Sequence, residues 1–407
     1  MIKGCKTRLF PTKDQEEKLW EHIHAARFVW NWGLDYEMEL FRNGEKHLSA
    51  YSLRKVLTRA KKTEKLAWLN TVSSHTLSIA LLDLGAAYDR FFANKPAKFS
   101  KRKIEKAART GKNLSPYALE KHPKFKSKKD NKFKFPVRHD SVYFTDGCVN
   151  IEKIGKVKYR GDRDLPQGRN ACKVANPRIK FENNKWILSF GMERDNQAPI
   201  LTDKSLGIDL GISELAVASF GGEKIVCHNI NKSKRVRTLE HKKKHVQRVI
   251  SRKYRTNGNY AKTKGVVKYE AILRKIDSKL SNIRKNYTHQ TTHRFTSLLP
   301  CRVVMEDLNV QGMMKNWHLA KAIQQQCWSE FIRQMKYKCE WSGIEFVQVG
   351  RFYPSSKTCS CCGEIKTDLK LKDRVFRCDC GLVIDRDFNA AINLERYDSP
   401  KVKEQSA

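Results

Sequence analysis

Leu206-Gly207-Ile208-Asp209-Leu210-Gly211 is the stretch on which the fold turns. Its apolar residues and closing glycine read as a strand that ends in a turn. Reading outward, Leu215–Ser219 and Lys224–Cys227 continue as strands, which makes a three-stranded meander. A basic segment follows from Lys232 to Lys285, with nineteen Lys/Arg against three acids. In its second half Tyr269, Ile272, Ile276, Leu280 and Ile283 recur at helical spacing. That predicts a helical hairpin with one apolar stripe and a cationic outside. Arg302-Val303-Val304-Met305-Glu306 predicts a buried strand, Gln324–Trp341 a helix and Ile344–Val349 a further strand.

Carboxylates punctuate this pattern. Asp209 ends the first strand and Glu306 ends the buried one. Asp387 opens a helix in Asp385-Arg386-Asp387-Phe388-Asn389-Ala390-Ala391-Ile392-Asn393. An acid directly after an apolar strand is expensive to hold there unless a cation compensates it. Gathered at one end of a sheet, three such acids suit two Mg²⁺ ions about 4 Å apart. Such a pair activates a water and stabilises the leaving 3′ oxygen of a phosphodiester. Singly, a strand-end acid is ordinarily solvated or paired. The order meander, helix, strand, helix makes the combination informative, because it fits an α/β, RNase H-like sheet.

Cysteines carry the second chemical signal. Of twelve, seven are scattered, and Cys359, Cys361, Cys362, Cys378 and Cys380 fall within 22 residues. A secreted disulfide framework spreads its pairs over a short chain, whereas this clustering in a long one points to a metal site in a reducing cytosol. Cys359-Ser360-Cys361-Cys362-Gly363 and Cys378-Asp379-Cys380-Gly381 read as two knuckles. Cys359, Cys362, Cys378 and Cys380 are the expected tetrahedral ligands of a structural Zn²⁺, with Cys361 the spare. The second knuckle is C-x-C, one residue short of the usual C-x-x-C. His289 and His293 stand four apart, but the residues between them are Gln290-Thr291-Thr292. The metalloprotease glutamate is therefore missing, and the pair reads as structural.

Charge narrows the partner. The 407 residues carry 81 Lys/Arg against 43 Asp/Glu, a formal excess of +38. Such an excess opposes compaction unless a polyanion neutralises it, so nucleic acid is the expected partner. An apolar fraction of 40% is too high for a wholly disordered chain and too low for a membrane protein. No apolar run reaches the roughly 18 residues a membrane helix needs. Met1-Ile2-Lys3-Gly4-Cys5-Lys6 lacks the apolar core of a secretory signal.

The N-terminal half is built differently. Residues 1–12 predict a strand, and Thr12 with Gln15 predicts a capping box. Leu19, Ile23, Ala26 and Trp30 mark the helix behind it. Leu53–Ala60 and Leu77–Phe92 predict two more helices, the latter with Leu77, Leu81, Leu84 and Tyr88 on one face. Phe28-Val29-Trp30-Asn31-Trp32 reads as core rather than a base-stacking platform. Residues 95–135 hold fifteen Lys/Arg against three acids, with Phe99, Tyr117, Phe125, Phe133 and Phe135 interleaved. They read either as a solvated, weakly structured loop or as a nucleic-acid contact. From 136 to 198 the period drops to two. Short strands around Val142, Val149 and Val157 precede a hairpin from Arg178 to Phe190, a small all-β module completed as a barrel by the N-terminal strand.

Taken together, these segments resemble the OrfB/TnpB proteins of insertion sequences, compact RNA-guided nucleases related to type V CRISPR effectors. The resemblance rests on Arg8-Leu9-Phe10-Pro11-Thr12, Ala26-Arg27-Phe28-Val29-Trp30-Asn31, Gly207–Gly211 and Met305-Glu306-Asp307-Leu308. It continues through Phe352-Tyr353-Pro354-Ser355-Ser356-Lys357-Thr358-Cys359 and Asp385–Ala391. It implies a RuvC-like nuclease domain over 201–395, with a zinc-binding insert at about 355–383. It also implies a wedge-like β-barrel from 1–12 and 136–200, a helical recognition domain with a basic connector over 13–135, and a tail at 396–407. Asp209, Glu306 and Asp387 become the metal-binding acids, with Asp385 the nearest competitor for the third role. The implied partners are a structured guide RNA and a double-stranded DNA target, without a membrane, in a prokaryotic cytoplasm. The expected activity is Mg²⁺-dependent DNA cleavage. Its alternatives are a non-cleaving guided repressor and a strand-joining transposase.

Overall fold

Thr12 ends an extended strand and starts a long helix, and its side chain decides the boundary. Thr12 Oγ1 accepts from the Gln15 N–H at 3.3 Å, and Gln15 Oε1 accepts from the Thr12 N–H at 3.1 Å. This is the expected capping box, and it satisfies two otherwise orphaned donors. In the computed structural model, residues 2–93, 99–111, 119, 121–128, 133–160, 165–169, 171, 173–193, 199–256, 262–370 and 373–397 are described. The chain divides into two compact units, Met1–Asp195 and Asn196–Ala407.

The first unit begins with strand β1 (Ile2–Phe10) and helices α1 (Lys13–Arg42), α2 (Ala50–Ala60), α3 (Ser74–Phe92) and α4 (Lys101–Thr110). Strands β2 (Phe133–Pro136), β3 (Tyr143–Thr145), β4 (Cys148–Ile151), β5 (Gly155–Tyr159), β6 (Val174–Glu182) and β7 (Lys185–Glu193) follow. The predicted apolar positions Leu19, Ile23, Ala26, Trp30, Leu77, Leu81, Leu84 and Tyr88 are all buried in one core. The hairpin β6–β7 turns through Asn183 and Asn184, both left-handed at φ 54° and 57°. Asparagine tolerates that conformation, and two such residues match the twist of the strands. All seven strands form one sheet in the order β2-β6-β7-β1-β5-β4-β3. The N-terminal strand thus takes the centre rather than closing an edge, and the ladder runs from β2 to β3 as its outer strands.

The described part of the basic stretch 95–135 is more ordered than a solvated loop. It contains α4, and Phe135 is 1% exposed in the core. Residues near 124–126 are tied to α1: Trp30 Nε1 donates to the Lys124 carbonyl at 3.0 Å, and Asn31 exchanges two bonds with Lys126 at 2.7 and 3.0 Å. Phe125, half exposed, keeps the character of a surface aromatic. Tyr117 lies outside the described residues, as does most of the tail.

The second unit opens with β8 (Ser205–Leu210), β9 (Ala216–Phe220) and β10 (Glu223–Cys227), the predicted meander. Helices α5 (Lys234–Thr256) and α6 (Lys264–Thr296) form the basic hairpin. Val236, Val246, Ile276 and Leu280 make its seam, whereas Ile272, predicted inside, is exposed. Next come β11 (Arg302–Glu306), α7 (Val310–Met313), α8 (Trp317–Gln326), α9 (Trp328–Ser342) and β12 (Glu345–Val349). The helix predicted over 324–341 is broken: Cys327 is left-handed, φ 56°, and separates α8 from α9. The small hairpin β13 (Val375–Arg377) and β14 (Val383–Asp385) leads into α10 (Arg386–Glu395).

Five strands form the sheet β10-β9-β8-β11-β12. The first three pair antiparallel, and β11 pairs parallel with both β8 and β12. Successive strand residues face opposite ways, so Leu206, Ile208 and Leu210 enter one core with Phe295, Ile323, Trp328, Phe331 and Met335. Val304, Val349 and Leu394 make a second core on the α10 side. Helices therefore cover both faces, and the β8 and β11 ends carry Asp209 and Glu306. Among the described residues, no helix is long and apolar enough to cross a membrane.

Candidate carboxylate site and cysteine tetrad

Gly207 explains why Asp209 and Asp387 come together. A Cβ added at Gly207 meets the Ala391 carbonyl at 2.1 Å and the Glu395 nitrogen at 2.2 Å. Helix α10 therefore rests on the backbone of β8, an approach only glycine permits. Two residues on, Asp209 shares the face that α10 covers. A Cβ at Gly211 lies 4.0 Å from Asp387 Oδ2. Glu306 arrives by register: Met305 pairs with Ile208, and Glu306 is the next residue of β11.

The three acids are close enough to feel one another. Burial, then the charges of Glu306 and Asp387, push the Asp209 carboxyl well above the usual carboxylate range, and Arg386 opposes them. Like charges brought together in a partly dry site need a cation to remain ionised. Hard carboxylate oxygens suit Mg²⁺, so the donor set fits the ion expected there. The competitor Asp385 is otherwise employed. It is the N-cap of α10, accepting from the Phe388 N–H at 2.9 Å, and it pairs with Lys224 at 3.4 Å. Asp387, two residues further along, pairs with Arg374 at 3.9 Å.

Sequence reading missed the residue that orients Glu306. Ser355, 1% exposed, donates its hydroxyl to Glu306 Oε1. Its own carbonyl accepts from Asn393 Nδ2 at 2.7 Å. Asn393 and Asn389, one helical turn apart on the buried side of α10, both donate to the Thr358 carbonyl at 2.6 and 2.7 Å. Asn389 Oδ1 accepts from the Ser360 N–H at 3.0 Å. The segment from Ser355 to Ser360 is thereby stapled to the helix that carries Asp387. The i, i+4 spacing of the two asparagines was the available signal.

That segment runs into the cysteines. The Sγ atoms of Cys359, Cys362, Cys378 and Cys380 all lie within 4.8 Å of one another. Cys359–Cys380 and Cys362–Cys378 are each 3.6 Å apart, far beyond the ~2.05 Å of a disulfide. The short second knuckle closes because Gly381 is left-handed at φ 91° and donates to the Cys378 carbonyl at 3.0 Å. Cys361 stays outside, exposed, but its N–H donates to Cys359 Sγ at 3.4 Å. Burial raises the Cys359 thiol, and the N–H groups of Cys362 and Cys361 outweigh it, bringing it down to about 7. Four thiolates so disposed fit a tetrahedral soft ion with no open position. Among the described residues this tetrad is the group with all its ligand atoms so closely set; the carboxylates interact at longer range.

Other sequence candidates fall away from both sites. His289 and His293 are exposed on α6, while Thr288, Thr291, Thr292 and Phe295 face inward. Trp30 is core, as expected. Along α5, Lys244, Arg248, Arg252 and Arg255 line an open depression of about 480 Å³, a row of cations at one-turn spacing that suits a phosphate backbone.

Comparison with known proteins agrees with this arrangement. Three family models match in succession: OrfB_IS605 "Helix-turn-helix domain" over residues 1–46, OrfB_IS605 "Probable transposase" over 189–317, and "Cas12f1-like, TNB domain" over 328–394. A Streptomyces pristinaespiralis protein, provisionally named an RNA-guided DNA endonuclease, is 30% identical over 393 residues, covering 96% of this chain and 88% of its own length. The Escherichia coli K12 protein InsQ, under the same provisional name, is 26% identical over 97% of this chain and 91% of its own. The CRISPR-associated endodeoxyribonuclease Cas12f1 of Sulfoacidibacillus thermotolerans is 25% identical over 52% of this chain and 50% of its own. The chain belongs to the OrfB/TnpB family of insertion-sequence proteins, relatives of the type V CRISPR nucleases.

Proposed function

We propose that the chain is an RNA-guided DNA endonuclease that hydrolyses phosphodiesters at Asp209, Glu306 and Asp387. The observation that carries this reading is the convergence of these three carboxylates: β11 runs beside β8 with Met305 opposite Ile208, and a Cβ at Gly211 of the β8 end lies 4.0 Å from Asp387 Oδ2 of α10. Residues 201–395 act as a RuvC-like, RNase H-like nuclease domain, with a zinc-binding element at about 355–383. Residues 1–12 and 136–200 act as a wedge-like β module, and 13–135 as a helical recognition domain.

The family relatives' names support a guide RNA and a DNA target as partners. Sequence specificity then resides in base pairing, while the protein grips backbone shape through its cationic surfaces. Asp209, Glu306 and Asp387 would hold the Mg²⁺ against the reacting phosphate, with Ser355 orienting Glu306. Bound Mg²⁺ supplies charge stabilisation and water activation at these oxygens. Cys359, Cys362, Cys378 and Cys380 hold one structural Zn²⁺, which keeps the Ser355–Ser360 segment folded against α10. The work takes place in the cytoplasm, where DNA and unoxidised thiols coexist.

The test combines purified protein, guide RNA, Mg²⁺ and a matching DNA target. Asp209→Ala is expected to abolish cutting while retaining RNA binding, a loss of at least about 10³-fold for a charge-stabilising ligand. Undiminished cleavage by that variant refutes the assignment. A joining assay with labelled element ends separates hydrolysis from strand transfer.

A further inference from the structure

In the motif Phe352–Cys359, Ser355 orients Glu306 and Cys359 belongs to the tetrad, which leaves the ring at its head unexplained. The sheet sets the place of that ring. Val349, the last residue of β12, pairs with Glu306, the last of β11. Gly350–Tyr353 then closes a tight turn, the Tyr353 N–H donating to the Gly350 carbonyl at 2.9 Å. Phe352 stands three residues beyond the partner of Glu306, so the two Cα atoms lie within about 16 Å of each other. Its neighbours are held. Arg351 donates to Oδ2 of Asp307, the residue after Glu306, at 2.9 Å. Tyr353 packs beside Val304, Val349 and Leu394, and its hydroxyl donates to the Asn393 carbonyl at 3.4 Å. Phe352 itself is 94% exposed. Lone apolar residues on a surface are common. This one occupies the third position of a tight turn, where small or polar residues such as Gly, Asn, Asp and Ser are usual. Neither the turn nor packing accounts for the ring.

We propose that the Phe352 ring stacks on an unpaired base of the DNA strand lying in the carboxylate site, and so fixes which phosphodiester reaches the three acids. Place argues for this occupant: the ring stands at the sheet end that carries Glu306, a few nucleotides at most from a phosphate held there. Every base has a flat face, so a stacked ring holds a strand without reading its sequence. A base inside a duplex has both faces covered, so the contact belongs to a strand whose bases are unstacked. The anchored backbone gives the contact its value. A turn tied to Glu306, Asp307 and α10 carries the ring and the acids as one body, and misplacement by about 1 Å at a reacting centre costs about 10²-fold in rate. The inference rests on the reading of Asp209, Glu306 and Asp387 as a DNA-cutting site, and deepens it by naming a residue that positions the substrate.

Two experiments on the full-length protein with guide RNA test this. In the first, Asp209→Ala, expected not to cut, binds target DNA in which single thymines near the cut are replaced by 5-iodouracil, and light-induced crosslinks are located by mass spectrometry. A crosslink at Phe352 is expected, and its absence overturns the proposal. In the second, cutting is followed in a single turnover at saturating protein. Phe352→Ala is expected to bind the target and to melt as the parent does. It is expected to cut about tenfold more slowly, within the range for loss of one stacked base, and to spread its cuts over neighbouring phosphates. Phe352→Trp is expected to restore rate and position, whereas Phe352→Leu, apolar but without a flat ring, is not. An abasic nucleotide at the crosslinked position is expected to slow the parent by the same factor and Phe352→Ala no further. Parent-like cutting by Phe352→Ala, or full recovery in Phe352→Leu, overturns the proposal. A parent that does not cut refutes the underlying reading instead, and the crosslink then decides on Phe352 alone.

Discussion

Gly207 and Ser355 are small residues on which the carboxylate site depends, and each makes a separable prediction. Any side chain at Gly207 meets backbone atoms of α10 rather than a pliable side chain. Gly207→Ala is expected to destabilise the second unit by about 3 kcal/mol or more, the upper range for overpacking, because neither β8 nor α10 can yield. Thermal unfolding measures it, and a melting temperature equal to the parent's contradicts the close approach. Ser355→Ala acts more locally. It leaves Glu306 Oε1 without its donor, an effect of about 1–3 kcal/mol. The Mg²⁺ concentration for half-maximal cleavage is expected to rise about tenfold, with Ser355→Thr restoring most of it and the unfolding temperature nearly unchanged. A fall in kcat at unchanged Mg²⁺ requirement argues against an orienting role. Of these residues, Gly207 was visible in the sequence as part of a strand-and-turn motif, but the reason for it was not. Its reason is a helix that lies almost 190 residues further along the chain.

At the scale of elements, local pattern served well where burial has a period. The capping box at Thr12 and Gln15, the stripe on α3 and the Asn183-Asn184 hairpin are each read from a few neighbouring residues. It served poorly where a single residue interrupts a period. Cys327 breaks one predicted helix into two, although nothing in its residue type announces a left-handed backbone. The cysteine element falls between these cases, because spacing named the ligand set and geometry separated Cys361 from it. One zinc per chain is expected by elemental analysis. Cys359→Ser or Cys378→Ser is expected to lose it, since apparent binding of a structural site is worth about 10–16 kcal/mol and depends on all four ligands. Cys361→Ser is expected to keep the metal. Zinc retention by both of the first two variants, or its loss from the third, reassigns the tetrad.

The whole molecule is dominated by its charge. An excess of +38 is spread over both units, and α5 carries one row of it. Binding to guide RNA is therefore expected to weaken steeply with salt, each neutralised phosphate adding about 0.7–0.9 to the slope of log affinity against log salt. Removing Arg248 and Arg252 together is expected to lower that slope by about 1–2 without changing which sequence is bound. A slope unaltered by the double variant removes α5 from the interface. The aromatics of the basic stretch show the limit of compositional reading: Phe125 is exposed, whereas Phe135 belongs to the core. Composition reports how many rings there are, not which way each one faces.

The amino-acid sequence alone determined the order of strands and helices, the knuckle spacing, the polyanion partner and the short set of candidate acids, because each of these is written in periodicity, composition or neighbouring residues. Tertiary structure decided the rest. It made Asp385 the cap of α10, tied Ser355 to Glu306, placed the N-terminal strand at the centre of its sheet and left one oxygen of Glu37 buried and unpaired. These are contacts between residues far apart in the chain. Their energy depends on how two elements meet in space, and no local pattern encodes that.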